Sequence, residues 1–182
     1  PRSPENVVEE IGHWYKQGFR VFEFVDDCFN FDMDRAKQIC YLIIKRRLKI
    51  EWRCGNGIRA DRVDEELLRK MKRAGCTFTS YGLESGSSKI LKVIKKGITI
   101  DLALKAIDMT KKVGIETTAN FIIGHPEETY EDALMTIDLI KKVNADKINF
   151  INAVPYPGTE LYSWIEKNAR FLINVEDYLS AK

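Results

Sequence analysis

The chain has 182 residues and a mass of 21.0 kDa, enough for one domain with a core that needs no disulfide staples. Hydrophobic residues make up 45% and charged residues 31%, with 29 Lys and Arg against 27 Asp and Glu, the balance of a folded globular chain rather than a disordered one. A net charge of +2 predicts no nucleic-acid partner, and apolar runs such as 41–44 and 121–123 fall far short of the about 18 residues of a membrane span, so a cytoplasmic protein is expected.

The first element reads as a helix, because Ser3-Pro4 has the form of an N-cap followed by proline at the first helical position. Gly18 closes it in the left-handed conformation that ends many helices, and a strand near 20–25 follows. Asp32 caps a second helix in which Ala36, Ile39, Cys40 and Ile43 recur at helical spacing. The basic stretch at 45–49 reads as its solvated end, favoured by the helix dipole. A strand near 49–54 leads to a third helix, capped by Asp64 and stopped at Gly75, and then to a strand near 78–83. Ala103, Ala106 and Ile107 mark a fourth helix, stopped at Gly114 before a strand at 117–123. Thr129 to Asp132 has the form of a capping box for a fifth helix, stopped at Asn144 before a strand at 147–153, and a sixth helix starts at Thr159.

The strands are near-continuous apolar runs, the pattern of strands covered on both faces, and they alternate strictly with helices. Such a chain forms parallel βα units, arranged as an open doubly wound sheet or as part of a barrel. No Gly-x-Gly-x-x-Gly follows the first strand, which counts against a dinucleotide fold. Ligands of parallel α/β folds lie at the carboxyl ends of the strands. Those ends carry Asp26-Asp27, then Asn56 and Arg59, then Gly82 to Gly86, then Gly124 to Glu128, then Pro155 to Gly158. Adjacent Asp residues and Pro-Gly pairs are also ordinary turn formers, and His125 alone says little. Glu84 resists that plain reading: a carboxylate directly after an apolar strand needs a partner or a ligand to offset its desolvation. Cys28, Cys40, Cys54 and Cys76 lie 12, 14 and 22 residues apart, unlike metal-binding pairs, so no metal ligand is expected among them.

Together these segments resemble the radical S-adenosylmethionine (SAM) superfamily from Arg2 to about Leu161. Phe24-Val25-Asp26-Asp27, Gly82-Leu83-Glu84-Ser85-Gly86 and Pro155-Tyr156-Pro157-Gly158-Thr159 look most like its cobalamin-associated branch, which includes anaerobic Mg-protoporphyrin IX monomethyl ester cyclases. The resemblance implies an α/β fold, a partial (β/α)6 TIM-like barrel of parallel strands with the first strand missing. It also implies an enzyme that uses a [4Fe-4S] cluster to cleave SAM reductively to a 5′-deoxyadenosyl radical, which abstracts a substrate hydrogen. By position, Asp26 and Asp27 would receive the SAM amino group, Arg59 its carboxylate and Glu84 the ribose hydroxyls. Asn120, Ile122, Gly124 and Glu127 match the adenine-side motif, with Asn in place of its first glycine, and Asn56, Ser85 and Pro155 complete the expected cofactor-binding set.

The family's CxxxCxxC loop is absent from these 182 residues. The chain is therefore expected to be one truncated core of five βα units, with about 171–182 as a C-terminal extension, inactive by itself. The parent protein is expected to hold the cluster, to take electrons from a donor such as flavodoxin or ferredoxin, to act on a small molecule and to meet cobalamin through another domain. Two alternatives from other classes are a non-catalytic binding domain that kept the barrel and a phosphate-binding barrel enzyme.

Overall fold

Local cap chemistry sets the start of every helix. In the computed structural model, which describes residues 1–171, these are α1 (Pro4–Lys16), α2 (Met33–Lys45), α3 (Glu65–Arg73), α4 (Ser88–Val93), α5 (Ile100–Lys112), α6 (Tyr130–Ile140) and α7 (Glu160–Asn168). Their N-caps are Ser3, Asp32, Asp64, Ser87, Thr99, Thr129 and Thr159, and each side chain accepts a backbone N–H of the first turn. Each such bond is worth about 1 kcal/mol. Thr129 and Asp132 form the full capping box.

Five strands, β1 (Val21–Phe24), β2 (Glu51–Cys54), β3 (Cys76–Glu84), β4 (Glu116–Ile123) and β5 (Lys147–Asn152), make one sheet in the order β1-β2-β3-β4-β5. Every pairing is parallel. A strand order that never reverses, with right-handed crossovers, puts all the connecting helices on one face. This is barrel-type winding, and it removes the doubly wound alternative.

The expectation that the strands are covered on both faces is corrected for β2 and β5. In β2, Trp52 and Cys54 are buried while Glu51 and Arg53 are exposed, and all six residues of β5 are exposed. Period-two alternation is clean in β2, β5 at the edge of the sheet is exposed on both faces, and the central β3 and β4 keep consecutive buried residues at 79–81 and 117–119. The helix-covered core is centred on Trp52, whose ring meets Phe24 and Phe29 at 4.9 and 5.2 Å and whose Nε1 donates to Ala74 O at 3.0 Å. Beside it, the buried Tyr81 hydroxyl lies 2.7 Å from Thr110 Oγ1.

Two further departures are local. The helix count rises because α4 and a 3-10 turn at Ala60–Arg62 are too short to show a periodic apolar face. Asn144 does not close α6 in the left-handed conformation; α6 ends at Ile140, and the Asn144 amide bonds Asp108 and Lys111 of α5 instead. The expected extension beyond Phe171 lies outside the described residues.

Gly75 shows how tightly a helix end meets the sheet. It sits at φ +96°, and a Cβ there would stand 1.9 Å from Ile50 O, so neither the backbone conformation nor the space admits a side chain. Gly75→Ala is expected to lower stability by about 2–4 kcal/mol, read as a lower urea midpoint at unchanged slope.

Candidate functional site

At the carboxyl edge of the open face, the ends of β1, β2, β3 and β4 surround a cleft of about 250 Å³. Asp27, Asn56, Arg59, Glu84 and Asn120 line it, as the sequence suggested, together with Lys96, which the sequence did not suggest. A second hollow on the same face, of about 560 Å³, shares Asn56, Glu84 and Asn120 with it and adds Ile122 and Asn149.

Glu84 is the most constrained of these residues. A register shift between Gly82 and Glu84 bends the end of β3, and Glu84 takes φ +63°. A left-handed conformation at a residue with a side chain costs about 1–3 kcal/mol and tends to mark a working site. The Glu84 carboxylate pairs with Lys96 Nζ at 2.6 Å, and both side chains are largely buried. That ion pair passes over Gly82, where a Cβ would come within 2.3 Å of Glu84 Oε1. Gly82 and Gly57 both border the cleft as bare backbone, the first packed under the ion pair and the second against Ser80, where a Cβ would stand 2.7 Å from Ser80 O.

The neighbouring loops are tied down from below. Asn30, fully buried, donates to Arg59 O at 2.9 Å and accepts from Arg59 N at 2.8 Å, and Asn56 Nδ2 donates to Val25 O at 3.0 Å. The Arg59 guanidinium is held by Asp61 through two bonds of 2.8 and 2.7 Å. This pairing raises the pKa of Arg59 and lowers that of Asp61.

The other expected residues lie elsewhere. Asp26 faces the groove between α1 and β1, with Arg35 at 3.9 Å. Ser85 is fully buried and bonded toward α6 rather than turned to the cleft. Gly124, Glu127 and Pro155 line neither hollow. In the loop that carries the first two, Glu128 Oε2 accepts from Gly124 N, Glu127 sits at φ +63°, and His125 Nε2 and Glu128 Oε1 are buried without a hydrogen-bond partner.

The residues present do not fit an iron–sulfur cluster. Cys40, Cys54 and Cys76 are buried in the helix-covered core, where desolvation pushes the Cys40 and Cys76 thiols up to about 12 and Cys54 well above its ordinary value. Iron is held by thiolates, which this environment disfavours. Among the described residues no three His, Cys, Asp or Glu side chains gather as a metal site. The donor set of the cleft, two cations, three carboxylates and two carboxamides over a glycine floor, does suit SAM, which carries an ammonium, a carboxylate and a vicinal diol.

The sequence profile of the Radical SAM superfamily matches residues 1–140. The chain belongs to the radical SAM superfamily. It is 37% identical over 97% of its length to an uncharacterized methyltransferase of Pyrococcus horikoshii. It is 31% identical over 88% of its length to an anaerobic magnesium-protoporphyrin IX monomethyl ester cyclase of Rubrivivax gelatinosus. More distant relatives include tRNA-2-methylthio-N(6)-dimethylallyladenosine synthases. The chain spans only 38% and 29% of the first two relatives' own lengths. The structure of the radical SAM methyltransferase TsrM of Kitasatospora setae, with cobalamin and a [4Fe-4S] cluster bound, superposes with a TM-score of 0.77 at 22% identity, covering 85% of this chain and 32% of that one. The radical SAM chain thus has the partial TIM-like barrel expected of it, with five parallel strands.

Two outcomes are expected at this site. At an ordinary strand position alanine is more stable than glycine, but at Glu84 the order should reverse, with Glu84→Gly more stable than Glu84→Ala by about 1 kcal/mol in denaturant unfolding. Burial lowers the pKa of His125, against the opposing pull of Glu128 and Glu84. A lowered folded pKa means that His125 contributes its full stability above its unfolded pKa of about 6.5 and loses it as pH falls from there toward the folded value. Melting temperature should therefore fall more from about pH 7 to about pH 5.5 in the native chain than in His125→Gln.

Proposed function

We propose that this chain forms the SAM-binding face of a radical SAM enzyme of the cobalamin-associated branch, acting in the cytoplasm on a small molecule. The observation that carries the reading is the strained Glu84 carboxylate, set over bare backbone and facing a cleft that also holds Asp27, Asn56, Arg59 and Lys96. The magnesium-protoporphyrin cyclase among the relatives, and the small net charge of the chain, favour a small-molecule substrate over the tRNA of the more distant ones. Four free thiols are in keeping with a reducing compartment, and no helix of the described residues is long and apolar enough to cross a membrane.

In this reading Glu84 accepts hydrogen bonds from the two ribose hydroxyls. The diol then takes over part of the role of Lys96, whose ammonium, with Arg59, is left to meet the methionine carboxylate. Asp27 faces the methionine ammonium, and Asn120 and Ile122 border the base. When bound, SAM would supply a 5′-deoxyadenosyl radical for hydrogen abstraction, its C5′–S bond broken by one electron from a donor such as flavodoxin or ferredoxin with methionine as the leaving group. This chain's residues bind and orient the nucleoside and methionine ends, while the cluster ligands and any cobalamin contacts are assigned to no residue of it. Residues 1–182 are read as one truncated core of a longer enzyme.

Loss of a charged hydrogen-bond partner costs about 1.5–3 kcal/mol, so Glu84→Ala should weaken SAM binding by about tenfold to a hundredfold while leaving the circular dichroism of the chain unchanged. Calorimetric titration of SAM measures it. Unchanged affinity in a folded Glu84→Ala chain would remove Glu84 from the site and the reading with it.

A further inference from the structure

The left-handed backbone at Glu84 persists only where its surroundings leave no alternative, and those surroundings come from α6, some 50 residues further along the chain. Thr136 Oγ1 accepts from Gly86 N at 2.9 Å and lies 3.2 Å from Ser85 Oγ, while its own proton goes to Asp132 O at 3.1 Å. Ser85 Oγ accepts from Ser87 N at 3.1 Å, and Ser87 Oγ donates to Asp132 Oδ1 at 2.6 Å. The second Asp132 oxygen takes Lys89 Nζ at 2.8 Å, Thr129 N at 3.0 Å and the Thr129 hydroxyl at 3.1 Å. Every hydroxyl in the network thus has both a donor and an acceptor use, as a buried polar network requires. The fit is close as well as bonded: a Cβ on Gly86 would stand 2.3 Å from Met135 O and 2.7 Å from Thr136 Cα.

Thr136 and Asp132 are buried, and neither lines the cleft or the second hollow. Their contacts fall on the residues directly after Glu84. We infer that Thr136 and Asp132 are positioning residues for Glu84: by holding Ser85, Gly86 and Ser87 against α6, they keep residue 84 in the left-handed conformation that aims its carboxylate into the cleft. Returning φ of residue 84 to the ordinary negative range would swing its Cβ away from that direction. The inference rests on the proposed ribose role of Glu84 and extends it to residues that touch no ligand. It also joins two loops in one unit, because the network that fixes the end of β3 includes Thr129 at the start of α6, directly after the loop that follows β4.

The test compares two ligands that differ only in the diol, S-adenosylhomocysteine and its 2′,3′-dideoxy analogue, titrated into the chain. In Thr136→Val, which keeps shape and loses the hydroxyl, the preference for the diol-bearing ligand should fall by about tenfold, the scale of one lost polar contact passed on to Glu84, while the dideoxy analogue binds as before. Thr136→Ser should restore the preference to within about twofold, since the hydroxyl is what the network uses. Should Thr136→Val fail to fold by circular dichroism, Ser87→Ala, which breaks the link to Asp132, serves in its place with the same expected loss. Equal weakening of both ligands, or no change in either, overturns the positioning role. Glu84→Ala run alongside separates the two failures: a lost preference in Glu84→Ala beside an intact one in Thr136→Val overturns this inference alone, and an intact preference in Glu84→Ala overturns the ribose reading and this inference together.

Discussion

The right-handed crossover between successive parallel strands is the constraint from which the rest of this molecule follows. Because the five strands add in chain order without a reversal, the connecting helices fall on one face and cannot cover the other. The pleat then divides each strand between two environments. Trp52, Tyr81 and Phe121 go to the helix side and are buried, while Glu23, Arg53 and Asn149 stay exposed to the open side. Chemistry collects where that open face meets the loops at the carboxyl ends of the strands.

Charges brought to such a place must be supported while no ligand is there. Lys96 pairs with Glu84 and Asp61 with Arg59, so these four ions of the cleft keep partners and avoid the cost of standing alone in a partly dry site. A ligand carrying both signs can exchange these partners instead of stripping them bare. The same economy explains why glycine occupies the floor: at Gly82 the ion pair itself fills the space that a side chain would need.

Much of the fold was legible because its signals are local. Ser3, Asp32, Asp64, Thr129 and Thr159 announce their helices within four residues, and Gly18, Gly75 and Gly114 close theirs by a backbone conformation that glycine alone adopts freely. The cleft was legible in part for a related reason, since the ends of parallel strands are known from the strands themselves, and Asp27, Asn56, Arg59, Glu84 and Asn120 stand there. What stayed hidden depends on partners distant in the chain. Lys96 reads as one more lysine of a basic turn until its ammonium is seen on Glu84, 12 residues earlier. Asn30 looks like a loop residue until its amide is found gripping the backbone of Arg59, 29 residues later. The apolar strands also promised burial on both faces, because composition alone does not say how many layers a sheet will have.

The burial of Trp52 has an optical consequence. Its indole is enclosed by Phe24 and Phe29, bonded to a backbone carbonyl and fully removed from water, whereas Trp14 and Trp164 are 42% and 38% exposed. One fluorophore therefore emits from the apolar interior and two from near the solvent. A soluble collisional quencher will silence the latter pair first and leave a blue-shifted residual emission, so that a single fluorescence spectrum distinguishes the integrity of the helix-covered core from events at α1 and α7.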